Sequence, residues 1–168
     1  MFKFIEIRDF DRNNLHLRQT LAELLAAVFP HSYRDSAAEE AEKLLGQERI
    51  ALAALDGDAL VGFIGAIPQY GITGWELHPL AVQEGYRGHG IGSMLIRALE
   101  EEAAARGGIT IYLGTDDEFF ATSLSDNDLY IGMYQKIAGI RNLRRHPYEF
   151  YQKNGYHIVG VIPDANGI

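Results

Sequence analysis

The sequence contains no cysteine. That excludes a disulfide frame, a thiolate nucleophile and a thiolate metal site. No apolar run approaches the ~20 residues of a membrane span. The opening Met1-Phe2-Lys3-Phe4-Ile5-Glu6 is too charged and short for a signal peptide, so a cytoplasmic protein is expected. Positive charge is scarce: 15 Lys and Arg stand against 23 Asp and Glu, leaving a formal charge of -8. Such a balance disfavours nucleic acid and anionic membrane as partners and suits a cationic one. The histidines His16, His31, His78, His89, His146 and His157 show no ligand spacing, so no metal site is expected. Repeats, low-complexity stretches and linkers are lacking as well. What is present is 168 residues, 47% hydrophobic and 23% charged, which suits one globular domain, residues 1–168, with a real core.

Periodicity orders the elements. Residues 2–9 alternate as a first strand. Asn13 or Asn14 caps a helix with Leu17, Leu21, Leu24, Leu25 and Val28 at helical spacing, ended by Pro30. Ser36-Ala37-Ala38-Glu39 is a capping box for a second helix, closed at Gly46. Residues 49–55 and 59–67 form strands around the hairpin signal Asp56-Gly57-Asp58, and residues 73–82 form a fourth. A helix over 90–106 places Ile91, Met94, Leu95, Ala98, Leu99 and Ala105 on one face and stops at Gly107-Gly108. Residues 109–115 read as a continuous apolar strand, buried on both faces and parallel to the fourth. Helical stretches follow within 126–143, then a short helix over 146–153 with Pro147 in its first turn, and a last strand over 156–162. This order makes an α+β chain on a mixed sheet.

The organising stretch is residues 80–92, where an apolar run gives way to alternating glycines at the head of a helix. Such glycines let backbone N–H groups converge on an anion, aided by the positive end of the helix. A P-loop needs Gly-Lys-Ser/Thr, but Ile91, Gly92 and Ser93 follow Gly90. A Rossmann fingerprint needs a third glycine three places after the second, and it is not there. The remaining pattern, Arg87-Gly88-His89-Gly90-Ile91-Gly92, resembles the Gln/Arg-x-x-Gly-x-Gly/Ala motif with which GNAT acetyltransferases hold the pyrophosphate of acetyl-CoA. On six residues alone, the other reading is a glycine-rich surface turn.

Further stretches extend the resemblance over nearly the whole chain: Phe10-Asp11-Arg12-Asn13-Asn14 and residues 60–80, 106–117 and 146–160. With these, the sequence resembles the aminoglycoside 6'-N-acetyltransferases of the GNAT superfamily, of the Gram-positive chromosomal type. That resemblance implies a V-splayed mixed sheet with helices on both faces, acetyl-CoA as cofactor, and a homodimer. It places cofactor contacts at Leu80, Ala81, Val82, Arg87, Gly88, His89, Gly90, Ile91, Gly92, Ser93, Thr115 and Tyr151. Relatives continue past Ala165-Asn166-Gly167 into one more strand, whereas this sequence stops at Ile168.

Acetyl transfer from a thioester to an amine needs a neutral amine, a polarised carbonyl, a proton for the leaving thiolate and a held cofactor. Glu76, in the fourth strand, is the candidate that takes the amine's proton; the alternative is the solvent-facing half of a strand alternation. His78 shares its face and is as consistent with a structural role as with a catalytic one. The resemblance implies an oxyanion-type contact from backbone N–H groups near His78 and Leu80, with Pro79 at a bulge that opens the sheet. It also makes Tyr151 the proton donor to the thiolate, while Tyr148, three residues earlier on the same helix face, packs. For a cationic aminoglycoside the expected contacts are Phe29, Glu76, Asp116, Asp117 and Glu118. Two departures bear on drug range: Phe119 stands where the close family has a further acid, and Phe29 replaces its tryptophan. Glu39, Glu40 and Glu42 read as a solvated helix face. Three functions remain open at this point. They are direct 6'-N-acetylation of aminoglycosides without an acyl-enzyme, acetylation of another amine (a polyamine, a small metabolite or a protein lysine), and non-catalytic CoA binding.

Overall fold

In the computed structural model, which describes residues 4–165, the chain forms two compact units, Met1–Leu113 and Gly114–Ile168. The first holds one five-stranded sheet in the order β1-β2-β3-β4-β5. Its strands are β1 (Ile5–Asp9), β2 (Ile50–Asp56), β3 (Ala59–Gln69), β4 (Gly74–Val82) and β5 (Thr110–Tyr112). The first three pairings are antiparallel and β4–β5 is parallel. The expected beginning of β1 at Phe2 lies outside the described residues.

Helices lie on both faces because β2 and β3 bury both. Ala51, Ala53, Leu55 and Phe63 join a core with α1 (Leu15–Val28) and α3 (Ala37–Leu44). Gly62, Ala54 and Leu95 meet on the opposite face, which α4 (Ile91–Ala105) covers. Asn14 caps α1 as expected, accepting the Leu17 N–H at 3.0 Å. The Leu17, Leu21, Leu24 and Leu25 stripe is buried, each side chain contributing roughly 1.5–3 kcal/mol by leaving water. Pro30 ends α1 but also opens the single-turn α2 (Pro30–Tyr33).

Several expectations are corrected. Ser36 occupies the N-cap position of α3 yet makes no side-chain capping bond, so the capping box does not close. On α4 the buried stripe is Ile91, Leu95, Ile96, Leu99 and Ala103, rotated from the expected face so that Met94 is exposed. β5 is three residues long and not buried on both faces: among the described residues it pairs with β4 alone and lies at the sheet's edge, and Ile109 just before it is 83% exposed.

The second unit is described separately. Its helices are α5 (Met133–Ala138) and α6 (Tyr148–Lys153). The helix expected within 126–143 shrinks to α5 because Gly132, at φ 63°, breaks the chain just before it and Gly139 caps it. Pro147 is the N-cap of α6 rather than a residue of its first turn. Residues 156–162 form no strand: they enter no ladder among the described residues, and Val159 and Ile162 are 90% and 82% exposed. The segment past Ala165 lies outside the described residues.

Candidate functional site

β4 carries the first half of the candidate site. Glu76 and His78 are half-buried on either side of the buried Leu77, so the two share one face, as a two-residue period requires. A register shift after Leu77 turns the strand over, and Leu80 and Val82, opposite Ile64 and Gly62, lie on the other face. Ala81 turns its side chain into the α1–α3 core, which leaves only its backbone for a cofactor. β5 pairs with β4 at Gly74, Trp75 and Glu76 and no further. From residue 77 to residue 82, β4 therefore meets no strand on that side among the described residues, and this is the opening of the V.

Glu76 sits at the point of divergence. Its Oε2 accepts a hydrogen bond from Gln69 Nε2 at 3.2 Å. The Tyr112 hydroxyl also interacts with it, and burial first, then the Glu76 charge, raise the Tyr112 phenol above its ordinary value. Neither Gln69 nor Tyr112 is apparent as a site residue from the sequence; strand register alone brings them to Glu76.

The bulge lies where Pro79 implies. Leu77 pairs with Ala66 and Leu80 with Ile64, so His78 and Pro79 together oppose Gly65. Gly65 is required there, since a Cβ would come within 2.7 Å of the His78 carbonyl oxygen. The His78–Pro79 peptide is cis. On the helical side, His78 Nε2 lies 3.0 Å from the Tyr33 hydroxyl and 3.8 Å from Glu40 Oε1. Glu40 is thus not part of a purely solvated face. It lies three residues after the buried Ala37 and four before the buried Leu44, at the edge of the apolar stripe. That position was the available signal. Phe29 stacks edge-on against Tyr33, with centroids 5.6 Å apart.

The glycine loop follows β4 through a 3-10 turn, Glu84–Tyr86. Two bonds tie it down: Arg87 Nε donates to the Val82 carbonyl at 3.1 Å, and the Tyr86 hydroxyl donates to Asp56 at 3.1 Å. His89 Nδ1 makes a 2.8 Å hydrogen bond with the Arg87 carbonyl. Gly88 and Gly90 have φ values of 78° and 81°, the left-handed region that favours glycine. A Cβ on either would meet nothing within 4 Å, so the loop presents bare backbone to open space. Gly90 is the N-cap of α4, without a side-chain capping bond. The first helical amides, at Ile91, Gly92 and Ser93, have no carbonyl within α4 to bond. Ile91 itself is buried, leaving its amide as its contribution to a site. This arrangement fits a diphosphate.

The second unit holds the other candidates. Asp116 and Glu118 are exposed and Thr115 is half-buried. His146 is buried; its Nδ1 accepts the Tyr148 N–H at 3.2 Å, leaving Nε2 to donate to the Asp116 carbonyl at 3.1 Å. Asp117 is occupied by its own loop. It accepts from the Ala121 and Thr122 amides at 2.6 and 3.0 Å, the Thr122 hydroxyl at 2.7 Å and the Ser125 hydroxyl at 2.6 Å. Burial alone would raise its carboxyl, but those bonds outweigh it and hold Asp117 below the ordinary carboxylate range. Of the three acids, Asp116 and Glu118 are therefore better placed than Asp117 to receive a cation. Tyr151 on α6 packs between Phe150 and Tyr156, with centroids 5.2 and 6.0 Å away. Burial pushes its phenol up to about 12, so the hydroxyl keeps its proton at neutral pH.

Comparison with known proteins gives these features a context. The acetyltransferase (GNAT) family model matches residues 18–140. The chain is 60% identical to an aminoglycoside 6'-N-acetyltransferase crystallised with coenzyme A, with a TM-score of 0.95 over 96% of this chain and 90% of that one. A crystal structure of the aminoglycoside 6'-N-acetyltransferase from Enterococcus faecium is also 60% identical, with a TM-score of 0.93 and the same coverage. The N-alpha-acetyltransferase RimI of Mycobacterium tuberculosis is 31% identical over 142 residues, 82% of either chain.

Proposed function

Since the chain belongs to the acetyltransferase (GNAT) family, we propose that it acetylates the 6'-amine of aminoglycosides by direct transfer from acetyl-CoA. The observation that carries this is the opened edge of β4 running into a glycine cradle whose three leading amides are uncapped. The 60% identity to the aminoglycoside 6'-N-acetyltransferase of two crystal structures supports the choice of amine. Bound acetyl-CoA supplies an acetyl group already activated as a thioester.

The residues divide the remaining work. Arg87, Gly88, His89, Gly90, Ile91, Gly92 and Ser93 hold the diphosphate, chiefly through backbone amides. Leu80, Ala81 and Val82 line the opened edge by their backbones, and Thr115 is a further cofactor contact. Glu76 removes a proton from the incoming ammonium, directly or through a water, with Gln69 and Tyr112 fixing the carboxylate. Tyr151 keeps a proton at Oη for the departing sulfur, as its high pKa allows. Asp116 and Glu118 give the polycation a negative surface, Asp117 holds its own loop, and Phe29 contributes an aromatic face. The chain is a single acetyltransferase domain that acts as a cytoplasmic homodimer, with neither nucleic acid nor membrane as partner. No helix among the described residues is long and apolar enough to cross a membrane, and the charge of -8 suits a cationic substrate.

The likeness to an N-alpha-acetyltransferase favours a second reading, in which the accepting amine belongs to a peptide or another small metabolite. Thiol release with acetyl-CoA separates the two. Kanamycin or tobramycin should drive it, while spermidine and a basic peptide should not. Release with the peptide or spermidine alone would transfer the function to the second reading. Thermal stabilisation by CoA with no release from any amine would mean binding without turnover.

A further inference from the structure

We propose that Tyr33 and Glu40 are positioning residues that act through His78, clamping the β4 bulge from the helical side. The bulge needs such support. Its two residues fall outside the β3–β4 ladder, and Pro79 has no N–H to offer. On the sheet side Gly65 makes room for the bulge, since a Cβ there would come within 2.7 Å of the His78 carbonyl oxygen. On the other side the His78 imidazole reaches two helices at once: Tyr33 of α2 at 3.0 Å and Glu40 of α3 at 3.8 Å, both on the same ring nitrogen.

Each partner is itself fixed. The Tyr33 N–H donates to the Phe29 carbonyl at 2.9 Å, and the ring is held edge-on by Phe29. Burial first, then the Glu40 charge, raise the Tyr33 phenol, so its hydroxyl remains a hydrogen-bonding group rather than a second anion. The Glu40 side chain is 19% exposed, and its neighbours Ala37, Ala41 and Leu44 are buried against α1 and the sheet. A strut from the α2–α3 pair to the bulge thus fixes the backbone between Leu77 and Leu80. That backbone is the part of β4 that must face the thioester while Glu76, two residues before His78, faces the amine.

The turnover arm of the test rests on the acetyl-transfer reading; a second arm does not. Tyr33→Phe and Glu40→Gln should each lower kcat about tenfold, a modest misalignment effect, with KM for acetyl-CoA within about twofold of the parent. In a His78→Ala background the same two changes should have almost no further effect, because the strut is already cut. Independently of activity, both changes should speed amide hydrogen exchange over residues 77–81 about tenfold while leaving the β2–β3 hairpin unchanged. Effects that persist undiminished in the His78→Ala background would overturn the proposal, as would exchange that rises equally across the sheet or does not rise at all. A parent enzyme that releases no thiol with any amine would instead defeat the acetyl-transfer reading, and the exchange arm would still decide the clamp.

Discussion

Glu76→Gln is expected to lower kcat by about 10²- to 10⁴-fold, the usual contribution of a positioned acid or base, while the affinity for CoA stays within about twofold. The substitution keeps the shape of the side chain and a carbonyl oxygen for the Gln69 amide, which lies 3.2 Å from Oε2. It removes the anionic oxygens that accept a proton and attract the Tyr112 hydroxyl. Aminoglycoside amines are cations near neutral pH, so the reaction waits for a proton to leave, and few groups lie where it could go. Glu76 stands on the open face of β4, at the last position where β5 still pairs. Steady-state thiol release together with calorimetric CoA titration checks this. Equal loss of turnover and CoA binding would show that Glu76 supports the strand rather than the chemistry.

The second large effect is expected at the head of α4. Gly90→Asp should weaken CoA binding by about 100-fold or more, close to 3 kcal/mol, without lowering the thermal midpoint appreciably. The position has φ 81°, where aspartate and asparagine are the side chains best tolerated after glycine. A Cβ there meets no protein atom within 4 Å, so folding has little to lose. A carboxylate at the N-cap would compete for the amides of Gly92 and Ser93 and repel the diphosphate. Gly90→Asn separates the two contributions, since it fills the same space without charge; its loss should be about tenfold. Titration of both variants with CoA measures the difference, and an aspartate variant that binds as well as the parent would remove the cradle from the account.

These positions were legible in the sequence for a simple reason: each is written in local pattern. Gly88 and Gly90 announce a left-handed backbone, Asn14 and the four leucines of α1 announce a capped, half-buried helix, and Asp56-Gly57-Asp58 announces the turn of a hairpin. What local pattern does not contain is which strand ends where. Residues 109–115 and 156–162 both read as strands from their apolar content. Yet β5 keeps three residues of pairing, and residues 156–162 enter no ladder among the described residues. The acids show the same limit. Asp117 looks like a substrate carboxylate until the loop over 117–125 is seen closing on it. Glu40 looks like solvated charge until α3 is seen packed with its edge toward His78. Side chains whose role depends on a partner 38 positions away, as Glu40 and His78 are, become readable only in three dimensions.

The central claim is tested most directly by a crystal structure of the chain with coenzyme A. The account predicts diphosphate oxygens within hydrogen-bonding distance, about 2.7–3.2 Å, of the amides between Gly88 and Ser93, with the thiol arm lying along β4 beside Leu80 toward Glu76. Cofactor bound elsewhere on the chain, with those amides still facing water, would contradict it.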